Sequence, residues 1–283
     1  MLFRSGYRIC YISYGFDLAD HPDVSVNQDL NLSAWRIFTP SHLHLDYLRS
    51  RSLIQARNVV VTGHPRLDEI VKAVNAGRET RCLQDRPFRV LWAPHHSVGT
   101  EWLRFGTFHY TSQTILRFAH ENSDIHFVLR QHHILYEMLV QFNIYSQEQV
   151  DEFLMCWERL PNTSFDEDPS YVRSFAESDI LLTDGVSFLA EYQVTLKPVV
   201  FIERKDHIAW TSFGERTLEG VYAFYDIGEA LRKILSLKNG EEDERYSARR
   251  KLAEMMMPFP EGATERILHE IRKGLAEECR KTC

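Results

Sequence analysis

Downstream of residue 87 the chain repeats one pattern: a short run that is apolar at nearly every position, a polar turn, then a longer amphipathic stretch. Phe88–Ala93 (FRVLWA), Ile125–Arg130 (IHFVLR), Asp179–Thr183 (DILLT) and Pro198–Ile202 (PVVFI) are the apolar runs. A strand with one wetted face alternates apolar and polar side chains; these runs do not, so both of their faces are expected to be covered. Covered faces and intervening helices together predict an α/β fold, a doubly wound parallel sheet with helices on either side. Helical spacing predicts helices over Thr111–His120, Ile134–Phe142, Gln147–Glu158, Pro169–Glu177 and Ser187–Gln193, then three closing helices at about Gly228–Ser236, Glu242–Met256 and Ala263–Lys281.

Upstream, Tyr7–Ser13 (YRICYIS) and Asn58–Thr62 (NVVVT) read as strands, and a helix follows Pro65 with Leu67, Ile70, Val71 and Val74 at helical spacing. The polar stretch Thr80–Pro87, preceded by Gly77, reads as a linker. The chain is therefore expected to divide into an N-terminal unit over residues 1–80, a larger domain over 81–262 and a C-terminal helix over 263–283. The stripe Ile267, Ile271 and Leu275 is expected to bring that helix back onto the first unit.

With 44% hydrophobic residues among 283, the chain can bury a sizeable core, which excludes a disordered protein. A net charge of −7 argues against nucleic acid as a partner. No run reaches the roughly 18 apolar residues of a membrane-spanning helix, and the first residues lack the apolar run of a signal peptide. Five scattered cysteines with no CxxC give neither a disulfide framework nor a zinc site, and fit reduced thiols in a cytoplasmic compartment. The closing helices mix charges (Arg249, Arg250 and Lys251 against Glu254) and read as solvated faces.

In open parallel sheets, ligands bind beyond the carboxyl ends of the strands. Three strand ends carry polar groups suited to that position: Pro94-His95-His96-Ser97, Arg130-Gln131-His132-His133 and Thr183-Asp184-Gly185-Val186-Ser187. Gly185 permits close backbone approach, and Ser187 suits the N-cap or first turn of the next helix, whose N-terminus favours a phosphate. Glu191, four residues after Ser187, lies on the same helix face and could take a ribose hydroxyl pair.

These segments carry a resemblance. SDILLTDGVSFLAEY (Ser178–Tyr192) followed by KPVVFIE (Lys197–Glu203) resembles the CDP-glycerol glycerophosphotransferase family, the polymerases and primases of teichoic acids and related capsule polymers of bacteria. WAPHHS (Trp92–Ser97), RQHH (Arg130–His133), VTGHPRLDEI (Val61–Ile70) and ISYGF (Ile12–Phe16) are similar to further segments of that family, in the same order. The resemblance implies a GT-B architecture of two Rossmann-like halves, with the nucleotide on the C-terminal half. It implies a transferase that passes glycerol phosphate, or a related alditol phosphate, from a CDP-linked donor to a polymer or lipid-linked acceptor, with release of CMP. It needs no cofactor or metal, and places the protein in the cytoplasm with docking at the inner membrane face left open. By this resemblance His132, His95 and Arg130 are the catalytic candidates, with His95 or His96 able to serve as base. His96, Thr183, Asp184, Gly185, Ser187 and Glu191 are the donor-binding candidates. The family's N-terminal His-Gly turn has no counterpart, its Ser-Ser is Val186-Ser187, and only some 80 residues precede the linker, so a truncated N-terminal half is expected.

Two other readings stay open at this point. His95, His96, His132, His133 and Asp184 could form the site of a metal-dependent phosphoesterase, although no HxH or DxH stands at a strand end and His42-x-His44 lies in the first unit. A chain with one intact nucleotide-binding half could also bind a nucleotide without turning it over.

Overall fold

The computed structural model describes residues 7–20, 26–80, 86–99 and 103–282. The first unit holds three short parallel strands in the order β1-β2-β3: β1 (Cys10–Ile12), β2 (Arg36–Thr39) and β3 (Val59–Val61). Helices α1 (Asp29–Ser33) and α2 (His42–Arg51) connect them, and α3 (Pro65–Thr80) follows β3. Part of the stretch read as a linker, residues 81–85, lies outside the described residues, and α3 runs up to Thr80. Neither β2 nor α2 is predicted above: RIFT begins with a charge, and HLHLDYLRSR carries little apolar periodicity.

The second sheet has six parallel strands: β4 (Phe88–Ala93), β5 (Ile125–Leu129), β6 (Thr163–Phe165), β7 (Ile180–Thr183), β8 (Val199–Ile202) and β9 (Tyr222–Phe224). Their spatial order is β6-β5-β4-β7-β8-β9, with all four predicted strands side by side and parallel. The helices between and after them are α4 (Phe108–Glu121), α5 (Leu135–Gln141), α6 (Gln147–Arg159), α7 (Val172–Glu177), α8 (Val186–Gln193), α9 (Ser212–Leu218), α10 (Ile227–Lys238), α11 (Tyr246–Met256) and α12 (Ala263–Thr282). The chain starts in mid-sheet at β4, winds outward through β5 and β6, then crosses to β7 and winds the other way. That reversal makes a switch point between β4 and β7, where the following loops diverge and leave a crevice.

The uniform apolarity of the central strands follows from two separate cores. Leu91, Leu181, Val199 and Phe201 point to one face, and Val90, Trp92, Ile180, Leu182, Val200 and Ile202 point to the other. Each such side chain is worth about 1.5–3 kcal/mol when fully buried, so neither alternate position can turn polar. The edge strands β6 and β9 lack the signal because they are short and only partly covered.

The first unit is tied to the second by several elements. Leu67, Ile70 and Val74 of α3 enter the same core as Leu91, Phe175 and Leu189. The segment after β1 docks on α9: Thr211 N–H donates to Leu18 O at 2.9 Å, and Asp20 N–H donates to Ala209 O at 2.8 Å. The C-terminal helix returns to the first unit as expected, with only part of the expected stripe covered. Ile267 is buried, but Leu275 is exposed. Further contact comes from Gly274, which lies against the Trp35 indole, and from the Glu278 carboxylate, which accepts from Trp35 Nε1 at 2.8 Å and pairs with Arg8 at 2.8 Å. The reading of Arg249 as part of a solvated face is also corrected. Its guanidinium is fully buried, donates to Gly220 O at 2.9 Å and pairs with Asp243, whereas Arg250 and Glu254 form an exposed pair.

Gly214 shows how closely the two units approach. A Cβ there would lie 2.2 Å from Leu18 O, a backbone atom. Gly214→Ala should cost about 1–3 kcal/mol through overpacking, read as a lower urea midpoint with the sheet signal intact. A variant as stable as the parent would mean that the Leu18 segment does not dock on α9.

Candidate functional site

A cavity of about 790 Å³ lies between the carboxyl ends of the two sheets. The first unit contributes the segment after β1, including Tyr14 and Phe16; the second contributes the ends of β4, β5 and β7. His95, His96, Arg130, His132, Thr183, Gly185 and Ser187 all line it, so three strand ends separated in sequence form one wall. Asp184 and Glu191, expected among the donor-binding residues, do not line the cavity.

Asp184 is 2% exposed and sits beneath the wall. Its carboxylate accepts from His95 N–H at 2.5 Å, Thr107 N–H at 2.5 Å and Thr107 Oγ1 at 2.7 Å. The end of β4, the end of β7 and the start of α4 therefore meet on one side chain. Burial pushes its pKa up to about 6, against the lowering effect of those donors. Beside it, Thr183 Oγ1 donates to Ala93 O at 2.6 Å and accepts from Gly185 N–H at 3.0 Å. Gly185 is the N-cap of α8, and a Cβ there would lie 3.3 Å from the His95 ring. Ser187 falls in the first turn of α8, exposed toward the cavity.

Glu191 is 1% exposed, so it does not share the exposed face of Ser187. It accepts from the Tyr171 hydroxyl and pairs with Arg66 at 3.6 Å. Burial pushes its pKa up to about 7 in spite of these partners. Tyr171, which lines the cavity, carries the Arg66 and Arg130 guanidinium groups over its ring at 5.5 and 5.6 Å. Arg130 is held by Asp166 at 2.8 Å and by Asp168 O at 2.9 Å, so its charge is already partnered. Sequence reasoning missed Arg66 and Tyr171. Arg66 stood inside a quoted segment, but Tyr171 is brought to Glu191 only by the packing of α7.

Four imidazoles form a continuous row. Ring centroids are 4.2 Å apart for His95–His96, 4.1 Å for His96–His132 and 4.4 Å for His132–His133. Burial first, then the neighbouring imidazoles, lowers the pKa of His95 well below its ordinary value. The same causes lower His132 to about 4. His95 and His132 are therefore uncharged at neutral pH. Among the described residues, no group of three or more His, Cys, Asp or Glu is arranged to hold a metal ion. His44, of the His42-x-His44 pair, is buried and bonded to Ser41 Oγ at 2.8 Å and Phe16 O at 3.1 Å. It braces the segment after β1, as does His64 through Ser13 O at 3.0 Å.

The buried and half-buried histidines set an acid limit. His44 and His132 fall from 6.5 to about 4, and His64, His95, His109 and His126 are also lowered. Between pH 6.5 and about 4 the unfolded chain takes up protons that the folded chain refuses, so these groups remove stability as pH falls. Asp184 and Glu191 act in the opposite direction, since their folded pKa values are raised. With six histidines against two carboxylates, urea midpoints should fall from pH 7 to pH 4.5. A flat or rising profile would show that the imidazoles are not buried as described.

No protein-family model and no curated protein matches the chain. Solved structures do. The wall teichoic acid polymerase TagF is 13% identical, with a TM-score of 0.63 over 97% of this chain and 70% of that one. The UDP-GlcNAc 2-epimerase from Neisseria meningitidis bound to UDP-GlcNAc is 14% identical, with a TM-score of 0.58 over 96% of this chain and 71% of that one. The S. aureus MnaA–UDP co-structure is 18% identical, with a TM-score of 0.55 over 97% and 69%. This likeness shows the fold: the chain is a GT-B-like α/β protein of Rossmann-type parallel sheets.

Proposed function

We propose that the chain is a transferase that moves glycerol phosphate, or a related alditol phosphate, from a CDP-linked donor to a hydroxyl of a polymer or lipid-linked acceptor. The observation that carries this reading is the convergence, at the β4/β7 switch point, of the first turn of α8 with the row of imidazoles on one cavity. A helix N-terminus offers N–H groups and partial positive charge to a diphosphate. The TagF likeness and the ordered segment resemblance favour a CDP-linked donor over a UDP-linked sugar.

In the proposed step the acceptor oxygen attacks the phosphorus that bears the alditol. The bond from that phosphorus to the bridging oxygen breaks, CMP leaves with the electron pair, and the acceptor proton passes to a neutral imidazole. Negative charge grows on the bridging oxygen and on the non-bridging oxygens, and donors fixed before reaction stabilise it without reorganising. Ser187 and the α8 N-terminus hold the donor diphosphate. His132 acts on the charge that develops, and Arg130, oriented by Asp166, acts on both states through its guanidinium N–H groups. Glu191 can reach the ribose only by exchanging its Tyr171 contact. No helix among the described residues is long and apolar enough to cross a membrane; a membrane-linked acceptor would have to be met from the surface.

Calorimetric titration with CDP-glycerol, alongside a transfer assay, tests the reading. Ser187→Ala should weaken donor binding by about 1–2 kcal/mol, the worth of a hydrogen bond to a charged group. His132→Ala should lower turnover while nearly keeping donor affinity; Arg130→Ala should lower both. If folded His132→Ala loses donor binding, His132 is a binding residue. If the parent ignores CDP-glycerol and takes a UDP-linked sugar, the donor assignment is wrong.

A further inference from the structure

We infer that Ser97 locks His95 in the tautomer protonated at Nε2, so that His95 meets the donor phosphate as a neutral hydrogen-bond donor and is not the general base. The phosphate in this statement rests on the transferase reading; the tautomer rests on the hydrogen bonds alone.

Ser97 is fully buried, with its Oγ 2.7 Å from His95 Nδ1. That contact by itself does not say which atom donates. Two backbone amides decide it: Phe105 N–H and Gly106 N–H donate to Ser97 Oγ at 2.9 and 3.3 Å. They occupy the lone pairs of the hydroxyl oxygen, and its proton is left for His95 Nδ1. The Ser97 backbone N–H also donates to the same Nδ1, at 3.2 Å, and an amide N–H has only one polarity. An Nδ1 that accepts from two donors carries no proton, so the neutral ring carries its proton on Nε2.

The Cδ2 edge of the ring, which adjoins Nε2, lies beside the N-cap of α8. Cδ2, the atom bonded to Nε2, is 3.3 Å from where a Cβ on Gly185 would sit, at the N-cap of α8. His95 therefore presents an N–H next to the helix N-terminus on the cavity wall. His132 shows the same polarity in a longer contact, with Ile134 N–H donating to its Nδ1 at 3.5 Å. An imidazole whose free nitrogen already holds a proton cannot take one from the acceptor hydroxyl. Of the two histidines considered for the base, this leaves His96. Ser97 touches no substrate in this scheme; it is a positioning residue.

The test uses full-length protein labelled with 15N-histidine, with His95 assigned by its loss in His95→Gln. Long-range proton–nitrogen spectra at pH 7 should show His95 protonated at Nε2 and bare at Nδ1, and CMP should move the Nε2 signal without protonating Nδ1. Ser97→Ala removes one of the two donors. It should give a mixed tautomer and about 3- to 10-fold weaker CMP binding, the range of one neutral hydrogen bond. Ser97→Thr, which keeps the hydroxyl, should restore both readouts. A parent His95 protonated at Nδ1 overturns the inference even if Ser97→Ala fails to fold. Folded Ser97→Ala with parental tautomer and CMP affinity but a lower Tm overturns the role of Ser97. A parent with the expected tautomer that binds neither CMP nor CDP-glycerol overturns the transferase reading and leaves the tautomer standing.

Discussion

The buried carboxylate of Asp184 holds the fork between β4 and β7, and the arrangement of the site depends on it. It takes the amides of His95 and Thr107 and the Thr107 hydroxyl, so the end of one strand and the start of α4 are fixed to the end of another strand. An isolated carboxylate at such depth would cost several kcal/mol; three donors offset part of that cost. Removing the carboxylate would leave two buried backbone N–H groups without that acceptor. His95 stands on one of those amides, and Gly185 follows Asp184 directly, so the imidazole and the α8 N-terminus keep a fixed separation.

The cavity wall that results carries little free positive charge. Burial and mutual proximity keep His95 and His132 neutral, Arg130 is neutralised by Asp166, and Arg66 lies near Glu191. Oriented N–H dipoles from imidazoles and from a helix N-terminus remain. Dipoles fixed in place act on charge that develops beside them and need no reorganisation when it does. A cluster of exposed lysines would instead bind the ground state and the transition state alike, which lowers no barrier.

The two units share their core across the putting-together of the site. The helix that follows β3 places Leu67, Ile70 and Val74 among residues of the second sheet, and the segment after β1 leans on α9 through Thr211. This lets the loop that carries Tyr14 and Phe16 face the strand ends of the six-stranded sheet with backbone hydrogen bonds on both sides of the junction.

The central strands and the principal helices were legible in the sequence because their signals are local. FRVLWA, IHFVLR, DILLT and PVVFI are apolar on both faces, and only strands inside a covered parallel sheet need that composition. The strand-end rule then found His95, His132, Gly185 and Ser187 on one wall. The edge strands β6 and β9 and the charged-start strand β2 were not legible, since a short, half-covered strand needs no continuous apolar run. Nor was the side on which each polar group would fall. Asp184 and Glu191 share their short segment with Gly185 and Ser187, yet they turn inward, one to Thr107 and the other to Tyr171, partners 77 and 20 residues away. The sequence alone determined the alternating pattern and which residues stand at the strand ends, because covalent neighbours and burial period suffice for that. The tertiary structure decided which of them face solvent and which are consumed as internal ties, because hydrogen bonding in a buried site depends on partners that only packing brings within reach.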